Sequence, residues 1–375
     1  MYEGVRALAD ELSDGVQSPV RLAICWTRPS GYMASCWRAL ARRPDIDLRV
    51  VLYGGSSGQA PFSGLNFDGV DVREMRSGRE TDPQEVLGSL SGFRPGVVAV
   101  AGWANRGYRS LVCDGAVDAR FVMAMDTPYA GTLRQRVGGF VRGAYFKKLD
   151  SVIVTGERSF RLARSLGFEE TRIRRGCYGV DWRGLGVADE RRRAGAWPRR
   201  FLFLGRLTEV KGIDTLMKAY GRYRDEVGVD EAWELAICGT GELEGMCRGR
   251  DGVELCGFVQ PSEMLDQWSR SGALVIASRF DPWPLAIVES CAAGLPIVCT
   301  EACGSAVELV RDYYSGRIVA TDNPEAMARA LVWVHERHGE LGEMGARSRG
   351  FAAAYSAEVW AERWASLAHD LVLEK

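Results

Sequence analysis

Two basic residues, Arg206 and Lys211, stand five positions apart directly after the apolar run FLFLG. The run predicts a buried strand, and the residues from Ile213 onwards predict a helix. A guanidinium and an ammonium group fixed at the end of a strand can bind phosphate oxygens through charge-assisted hydrogen bonds. The spacing therefore indicates a diphosphate site, although a surface loop could carry the same two residues.

A second candidate site lies in residues 278–298, where a predicted strand ends and a helix begins around Pro284. Proline is favoured at the first helical position because its missing N–H has no partner within the helix there. The free N–H groups of Leu285 and Ala286, together with the helix dipole, would suit a phosphate oxygen or a sugar hydroxyl.

Two acids accompany this predicted helix. Glu289 lies in its second turn and could accept hydrogen bonds from the two hydroxyls of a ribose, or it could be an exposed helix acid. Asp281 precedes the helix and could equally be an acid of the turn or the N-cap. Neither residue is decisive by itself, so the interpretation depends on their combination with the basic pair.

Strand-like apolar runs alternate with amphipathic helix-like runs along the whole chain, which is typical of parallel sheets with crossover helices. In the first half, strands are predicted at 20–26, 47–53, 96–102, 119–125 and 151–156. The alternation restarts at Arg200 with further strand-like runs. Because ligands of doubly wound sheets bind at the carboxyl ends of the strands, we expect the candidate residues at a cleft between two such halves.

A length of 375 residues suits two domains. We predict an N-terminal Rossmann-like domain over 1–182, a linker over 183–199 and a second Rossmann-like domain over 200–355. The linker is placed where the sequence is rich in glycine and arginine and lacks apolar periodicity. The last segment, 356–375, predicts a helix because its apolar residues recur at a helical spacing.

The composition disfavours several classes of protein. No apolar run approaches the ~20 residues needed to span a bilayer, and the first residues lack the apolar segment of a secretory signal. The ten cysteines are scattered without a CxxC pair, which is typical of a reducing, cytoplasmic compartment. The histidines, His335, His338 and His369, all lie near the C-terminus. A histidine-rich metal site or a catalytic triad in the first half is therefore not expected.

Charge is distributed unevenly along the chain. Residues 1–199 contain 30 Lys and Arg against 22 Asp and Glu, whereas the remainder contains 18 against 27. The segment 133–149 mixes basic and apolar residues, so it could contact an anionic membrane surface. Gly138 and Gly139 weaken it as a helix, and a crossover helix packed on a sheet is the ordinary alternative. Nucleic-acid binding is not expected, because the basic residues are interleaved with predicted strands and helices.

Five motifs together resemble the donor-binding half of the family-4-type GT-B glycosyltransferases, the glycosyl transferases group 1. They are GRLTEVKG (205–212), CGTGE (238–242), ELCGFV (254–259), DPWPLAIVE (281–289) and AAGLPIV (292–298). The resemblance implies an α/β fold of two Rossmann-like, doubly wound domains that face a central cleft. The first domain would bind the acceptor and the second the nucleotide sugar, and the C-terminal helix would return to brace the first domain.

The resemblance also implies roles for single residues. Arg206 and Lys211 match the pair that binds the donor pyrophosphate and stabilises the leaving nucleotide diphosphate. Asp281 and Glu289 match the two acids that contact the donor sugar and the ribose. The implied reaction is sugar transfer with retention of configuration, in which the leaving diphosphate can itself accept the proton of the acceptor. No metal is implied, and no cofactor beyond the nucleotide sugar as co-substrate.

Further positions match segments that surround the nucleotide in the family. Gly239 and Gly241 match a glycine turn beside it, and Phe258 and Val259 match the segment along which the base lies. Gly31 follows the first predicted strand, in a loop that the resemblance places near the donor phosphates. Its missing side chain would let the backbone approach a ligand, although an ordinary strand–helix connection would explain this glycine equally well.

The sequence departs from the family pattern at several positions. Asp281 stands where glutamate is usual, Pro284 where glycine is usual and Trp283 where phenylalanine is usual. Asp126 occupies roughly the place of a histidine that contacts the donor sugar in many relatives. It could orient the acceptor hydroxyl or the sugar, or it could be a structural turn acid. These departures leave the identity of the donor sugar open.

The implied acceptor is a glycan, a lipid-linked sugar or a small molecule. Because many relatives that act on lipid-linked acceptors dock on anionic leaflets, peripheral contact with the inner membrane face through 133–149 is one expectation. An epimerase of the same fold is disfavoured by the missing histidines, and a phosphorylase by the lack of a pyridoxal lysine motif. A GT-B module that binds nucleotide or glycan as a scaffold, without transfer, is the alternative that Asp281 and Pro284 support.

Overall fold

The structure is a computed structural model that describes residues 18–54 and 62–373; the segment for which no secretory signal is predicted lies outside these ranges. The described part of the first half contains a parallel seven-stranded sheet with the order β3-β2-β1-β4-β5-β6-β7. Its strands are β1 Val20–Cys25, β2 Ile46–Leu52, β3 Asp71–Glu74, β4 Val97–Ala101, β5 Arg120–Met125, β6 Ser151–Val154 and β7 Ile173–Arg175. The strand order reverses between β1 and β4, which leaves a crevice at their carboxyl ends.

Strands β1, β4, β5 and β6 are almost continuously apolar because helices cover both faces of the sheet, whereas the edge strands β3 and β7 are mostly polar. In β1, every residue except Arg21 is buried. The helices of this half are α1 Gly31–Ala41, α2 Pro83–Ser89, α3 Arg106–Cys113, α4 Leu133–Val141, α5 Gly143–Phe146 and α6 Glu157–Ser165. Side chains of Asp82, Asn105 and Thr132 accept hydrogen bonds from backbone N–H groups at the starts of α2, α3 and α4.

The described part of the second half contains a parallel six-stranded sheet with the order β10-β9-β8-β11-β12-β13. Its strands are β8 Arg200–Leu204, β9 Glu234–Cys238, β10 Val253–Gly257, β11 Ala273–Ile276, β12 Ile297–Thr300 and β13 Gly316–Val319. The order again reverses, here between β8 and β11. The loops that follow these two strands therefore face one crevice. The predicted α/β fold with two doubly wound halves is confirmed.

Helices also surround the second sheet. They are α7 Trp182–Arg193, α8 Ile213–Val227, α9 Met264–Ser269, α10 Leu285–Ala292, α11 Ala306–Leu309, α12 Pro324–Glu336 and α13 Leu341–Ala352. Across the described residues, no helix is both long enough and apolar enough to cross a membrane.

The segment predicted as the linker, 183–199, lies mostly within helix α7, which packs against α9 and α10. Its buried face includes Asp189 and Arg192 as well as apolar residues, which is why no apolar periodicity marks this helix in the sequence. The guanidinium of Arg192 donates hydrogen bonds to the carbonyl oxygens of Trp268, at 2.6 Å, and Ala293. Partners from distant segments thus make a buried arginine tolerable.

The C-terminal helix α14, Ala357–Leu373, packs against α1 and therefore belongs to the core of the first half. Trp360 and Trp364 lie on its buried face with ring centroids 4.9 Å apart. Their indole N–H groups donate to the carbonyl oxygens of Cys177 and Gly176, at 3.0 and 3.2 Å. The chain thus returns to its first half after completing the second.

Candidate functional site

A cavity of about 850 Å³ lies at the carboxyl ends of β1, β8, β9, β10 and β11, between the two halves. Most of the residues predicted for the site lie on its wall: Gly31, Arg206, Lys211, Gly239, Phe258, Val259, Asp281, Leu285, Ala286 and Glu289. Gly241 and Asp126, also predicted, do not line this cavity. The fold therefore assembles the predicted donor residues from segments that are far apart in sequence.

Lys211 is carried by a short 3₁₀ turn that ends at Gly212. Gly212 has a φ of 67°, and a Cβ there would collide with the carbonyl group of Ala277. Only glycine therefore allows the chain to pass this closely to the end of β11. In this position the Lys211 ammonium donates a hydrogen bond to the Asp281 carboxylate, and both side chains are mostly buried.

Arg206 has a different environment from Lys211. It lines the same cavity, but its side chain is exposed. No acid in the described ranges, 18–54 and 62–373, forms an ion pair with it. An anion that binds between these two residues therefore meets Lys211, which is paired with Asp281, and Arg206, which forms no ion pair with an acid of the described residues.

Helix α10 begins at this cavity. Pro284 is its N-cap, with φ −62° and ψ 104°, so the proline precedes the first helical residue rather than occupying it as predicted. The first hydrogen bond of the turn runs from the N–H of Ile287 to the carbonyl of Pro284, at 3.1 Å. Leu285 and Ala286 line the cavity ahead of that bond. Their N–H groups lie at the end of the helix where the dipole favours an anion.

Glu289 lies half-buried on the cavity wall, one turn further along α10. Burial raises the pKa of its carboxyl from 4.5 to about 7. Tyr32, near the start of α1, lines the same cavity from the other half. Burial raises the pKa of Tyr32, and the charge of Glu289 raises it further. Glu289 therefore faces the first half of the chain across the cleft.

The two glycines after β9 have different surroundings. Gly239 lines the cavity with a φ of 152°, and a Cβ there would collide with the carbonyl group of Gly205. Gly241 does not line the cavity, and a Cβ there would collide with the backbone of Leu207. Both glycines let the loops after β8 and β9 pack against each other, and only Gly239 also borders the cavity.

An aromatic contact joins the two halves at one side of the cavity. Phe258 and Val259 follow β10, and the Phe258 ring lies 5.7 Å from the ring of Phe62 in the first half. At Gly31, the first residue of α1, a Cβ would approach Pro261 to 3.2 Å. Phe62 was not predicted from the sequence, because it lies in a loop without apolar periodicity.

A second cavity, of about 350 Å³, lies at the carboxyl ends of β1, β4 and β5 in the first half. Thr27, Arg28 and Tyr32 line both cavities, so the two adjoin. Trp103 and Asp126 lie on its wall. The sequence gave no sign of this second cavity.

Asp126 is held in place by Tyr178, which the sequence did not single out. The Tyr178 hydroxyl donates a hydrogen bond of 3.0 Å to the Asp126 carboxylate. Burial, together with the charge of Asp126, raises the pKa of Tyr178 well above its usual range, so this hydroxyl keeps its proton. Because a carboxylate accepts several hydrogen bonds, Asp126 can also accept one from a group in the second cavity.

The histidines contact other parts of the structure. His335 Nδ1 lies 2.8 Å from the Tyr223 hydroxyl, and His338 Nε2 lies 2.8 Å from the Trp197 carbonyl oxygen. His369 pairs with Asp45. Within the described part of the chain, no group of three His, Cys, Asp or Glu residues has an arrangement that could hold a metal ion.

Comparison with known proteins finds a family model and relatives that match part of the chain. Residues 198–337 match the sequence model of the family described as glycosyl transferases group 1. An uncharacterized glycosyltransferase of Methanocaldococcus jannaschii is 29% identical over 153 residues, 39% of this chain and 36% of the relative. A D-inositol 3-phosphate glycosyltransferase of Streptomyces coelicolor is 30% identical over 180 residues, 42% of this chain and 39% of the relative. The matches thus span less than half the length of these two relatives.

Solved structures resemble nearly the whole chain. Sucrose-phosphate synthase from Thermosynechococcus elongatus superposes with a TM-score of 0.74 at 16% identity, over 95% of this chain and 100% of that one. Anabaena HepE, solved with UDP and glucose, superposes with a TM-score of 0.67 at 14% identity, over 93% of this chain and 99% of that one. These likenesses, with the match over 198–337, confirm the predicted fold and family. The chain has the GT-B fold, and its residues 198–337 match the glycosyl transferases group 1.

Proposed function

We propose that this protein is a retaining glycosyltransferase that moves a sugar from a nucleotide-diphosphate donor to an acceptor held by the first half. The proposal is carried by the cavity of about 850 Å³, whose wall holds Lys211 and an Arg206 that no described acid neutralises. Its volume lies within the ~300–1,000 Å³ of typical small-molecule sites. HepE, a structural neighbour solved with UDP and glucose, supports a nucleotide-sugar ligand.

The residues on the cavity wall suggest how the donor lies. The diphosphate binds between Arg206 and Lys211, with further hydrogen bonds from the N-terminus of α10. The ribose hydroxyls donate to Glu289, and the base lies along Phe258 and Val259. The sugar then extends toward Asp281 and the second cavity.

Lys211 and Asp281 pair with each other in the structure, and each takes a new partner when the donor binds. A diphosphate carries more negative charge than one carboxylate, so it competes for the Lys211 ammonium. Once Lys211 binds the diphosphate, the Asp281 carboxylate is free to accept hydrogen bonds from the donor sugar. These new contacts offset part of the free-energy cost of separating Lys211 from Asp281, because neither buried charge is left without a partner.

In the transfer step, the acceptor oxygen bonds to the anomeric carbon on the face from which the diphosphate leaves. The electron pair of the breaking bond passes to the leaving phosphate oxygen, and that oxygen takes the proton of the acceptor hydroxyl. Arg206 and Lys211 stabilise the negative charge that develops there. The proposal therefore requires no side-chain base and assigns the role of a divalent metal to these two cations.

The second cavity is the proposed site of the reacting acceptor group. Its volume of about 350 Å³ suits a single sugar ring, and the indole of Trp103 offers an apolar surface for the C–H groups of a sugar. Asp126, held by Tyr178, accepts a hydrogen bond from an acceptor hydroxyl and orients it toward the first cavity. A glycan, a lipid-linked sugar or a small molecule could supply this group.

We expect nucleotide binding to depend on pH through Glu289. Its pKa of about 7 means that the carboxyl is mostly protonated in mildly acidic solution, whereas two ribose hydroxyls are bound best by the ionised form. Nucleotide affinity should therefore rise about tenfold between about pH 6 and about pH 8, as isothermal titration would measure. In Glu289→Gln this rise should disappear, apart from the part caused by ionisation of the diphosphate itself. Identical pH profiles for the two proteins would contradict the ribose assignment.

A thermal-shift screen with UDP, GDP, ADP and dTDP tests the donor site. A ligand at 100 times its Kd adds about 2.7 kcal/mol of stability, which moves the melting temperature measurably. We expect one diphosphate to raise it selectively, and its sugar derivatives to serve as donors. No shift with any of them would contradict the proposed site. Nucleotide binding without transfer or donor hydrolysis would support a scaffold instead.

A further inference from the structure

A β-bulge in strand β10 brings two cysteines together. The residues of β9 and β10 pair in register as far as Leu255, and the next pair is Cys238 with Gly257. Cys256 is therefore an extra residue that lies beside Cys238 without a place of its own in the ladder. Neighbouring strands lie about 4.8 Å apart, and disulfides join Cα atoms about 4.4–6.8 Å apart, so this arrangement can accommodate one.

The side chains of the two cysteines lie on one face of the sheet. Cys256 and Glu254 are two positions apart on β10 and therefore project from the same face. Glu254 pairs in register with Ala236, which shares its face with Cys238. Arg200 of β8 lies on this face too, since its guanidinium approaches the Cys256 sulfur to 3.9 Å and donates a hydrogen bond of 2.5 Å to Glu254. The register thus places two thiols and one cation close together.

The two thiols differ in reactivity. Interaction with the Cys256 thiol raises the pKa of Cys238, and burial adds to that rise. The same interaction lowers the pKa of Cys256, and the charge of Arg200 also lowers it, although burial and Glu254 oppose this change. The thiolate is the nucleophilic form of cysteine. Cys256 is therefore the thiol suited to attack an oxidant, and Cys238 the one suited to react with the oxidised product.

Access to solvent also distinguishes Cys256. Eight of the ten cysteines are buried, whereas Cys113 and Cys256 are half-buried. Cys238 is buried but lines the cavity of about 850 Å³. A small oxidant can therefore reach Cys256 from solvent, and the oxidised sulfur has a second thiol beside it.

We propose that Cys256 and Cys238 are a peroxide-sensitive thiol pair that forms a reversible disulfide. The Cys256 thiolate attacks one oxygen of hydrogen peroxide, the O–O bond breaks, hydroxide leaves, and the sulfur becomes a sulfenic acid, oxidised by two electrons. The Cys238 sulfur then attacks the sulfenic sulfur. The S–O bond breaks, and the hydroxyl group leaves as water with the proton of the Cys238 thiol.

The disulfide forms at the wall of the larger cavity. Gly239 directly follows Cys238, Phe258 lies two residues after Cys256, and both Gly239 and Phe258 line the cavity. The Gly239 N–H donates a hydrogen bond of 2.7 Å to the Gly257 carbonyl, so the loops after β9 and β10 are joined here. Because the disulfide alters the bulge that precedes Phe258, we expect it to weaken nucleotide binding. This consequence rests on the proposed donor site, whereas the thiol chemistry does not.

Peptide mapping by mass spectrometry tests the thiol pair without any assay of activity. After treatment of the full chain with hydrogen peroxide, we expect a cross-link between the peptides of Cys238 and Cys256 that dithiothreitol removes. In Cys238→Ser, dimedone should instead trap a sulfenic acid on Cys256, because the second thiol is missing. The control is Cys113→Ser, which removes the other half-buried thiol and should form the cross-link like the unaltered protein.

The thiol pair is wrong if peroxide produces no cross-link between Cys238 and Cys256 in the unaltered protein. A cross-link that joins two copies of the chain, visible as a dimer in non-reducing electrophoresis, would also contradict it. The order of the two steps is overturned if dimedone traps Cys238 in Cys256→Ser as readily as it traps Cys256 in Cys238→Ser.

Nucleotide binding tests the consequence for the donor site. The probe is whichever of UDP, GDP, ADP and dTDP stabilises the reduced protein. Oxidation should weaken its binding at least about fivefold, and dithiothreitol should restore it, as isothermal titration would measure. Cys256→Ser should bind the probe equally before and after peroxide treatment.

Equal affinities of the reduced and the cross-linked protein would overturn the connection between the thiol pair and the donor site. If the reduced protein binds none of the four diphosphates, that result counts against the proposed donor site itself and leaves the cross-link standing.

Discussion

Replacing Arg206 with alanine is expected to lower the rate of sugar transfer about 10²–10³-fold. The variant lacks a fixed positive charge where negative charge develops on the leaving diphosphate. The free energy of unfolding should hardly change, because the Arg206 side chain is exposed and pairs with no acid of the described residues. Steady-state kinetics with the donor found by thermal shift, together with urea denaturation, would measure both quantities.

The matched control for this variant is Arg329→Ala, an exposed arginine of helix α12 that does not line the cavity. It should transfer sugar at the rate of the unaltered protein. If Arg206→Ala did so too, the diphosphate could not lie at the loop after β8, and the proposed arrangement of the donor would have to be abandoned.

Lys211→Ala should lower the rate to a similar degree but should also destabilise the fold. Removing the ammonium leaves the Asp281 carboxylate mostly buried without its partner, at a cost of roughly 1–3 kcal/mol. The double variant Lys211→Ala with Asp281→Asn should regain part of this stability without regaining activity. That contrast separates the structural role of the ion pair from its role in transfer.

The second large effect is expected on stability. Trp360→Ala should lower the free energy of unfolding by about 3–5 kcal/mol, because it opens a cavity in a packed core. Trp360 is 1% exposed, stacks near Trp364 and donates to the Cys177 carbonyl, which the variant would leave without this donor. Urea denaturation followed by tryptophan fluorescence and circular dichroism would measure the change.

Leu373→Ala on the same helix is the control, since this leucine is 72% exposed and its truncation should change stability by less than about 0.5 kcal/mol. An unaltered denaturation midpoint in Trp360→Ala would mean that α14 is not part of the core of the first half. Two separate transitions would show that the halves unfold independently.

The location of the candidate donor residues was predictable because each follows a recognisable local pattern. Arg206 and Asp281 come shortly after apolar runs that form β8 and β11, and parallel strands bring their carboxyl ends to one edge of a sheet. Helix α10, which carries Glu289, was indicated by Pro284 in the sequence to within one residue of its start.

Contacts between distant segments were not predictable in the same way. The pairing of Lys211 with Asp281 depends on Gly212. Because this glycine has no Cβ, the loop after β8 can pass close to the backbone of Ala277, at the end of β11. Phe62 lines the first cavity and Tyr178 the second, and both lie in loops whose sequences show no apolar periodicity. Helix α7 was not predicted, because its buried face includes Arg192, whose hydrogen-bond partners lie in α9 and at the end of α10.

The sequence by itself determined the α/β class, the two doubly wound halves, the family that residues 198–337 match and ten of the residues that line the larger cavity. These properties depend on periodicity and on short motifs, which are local. Only the tertiary structure decided that Lys211 pairs with Asp281 whereas Arg206 pairs with no acid of the described residues. It also decided that Asp126 lies at a second cavity and that the apolar residues Leu133, Val137, Phe140 and Val141 of α4 face solvent. Each of these depends on which surfaces meet when segments far apart in the chain pack together, and a linear pattern does not carry that information.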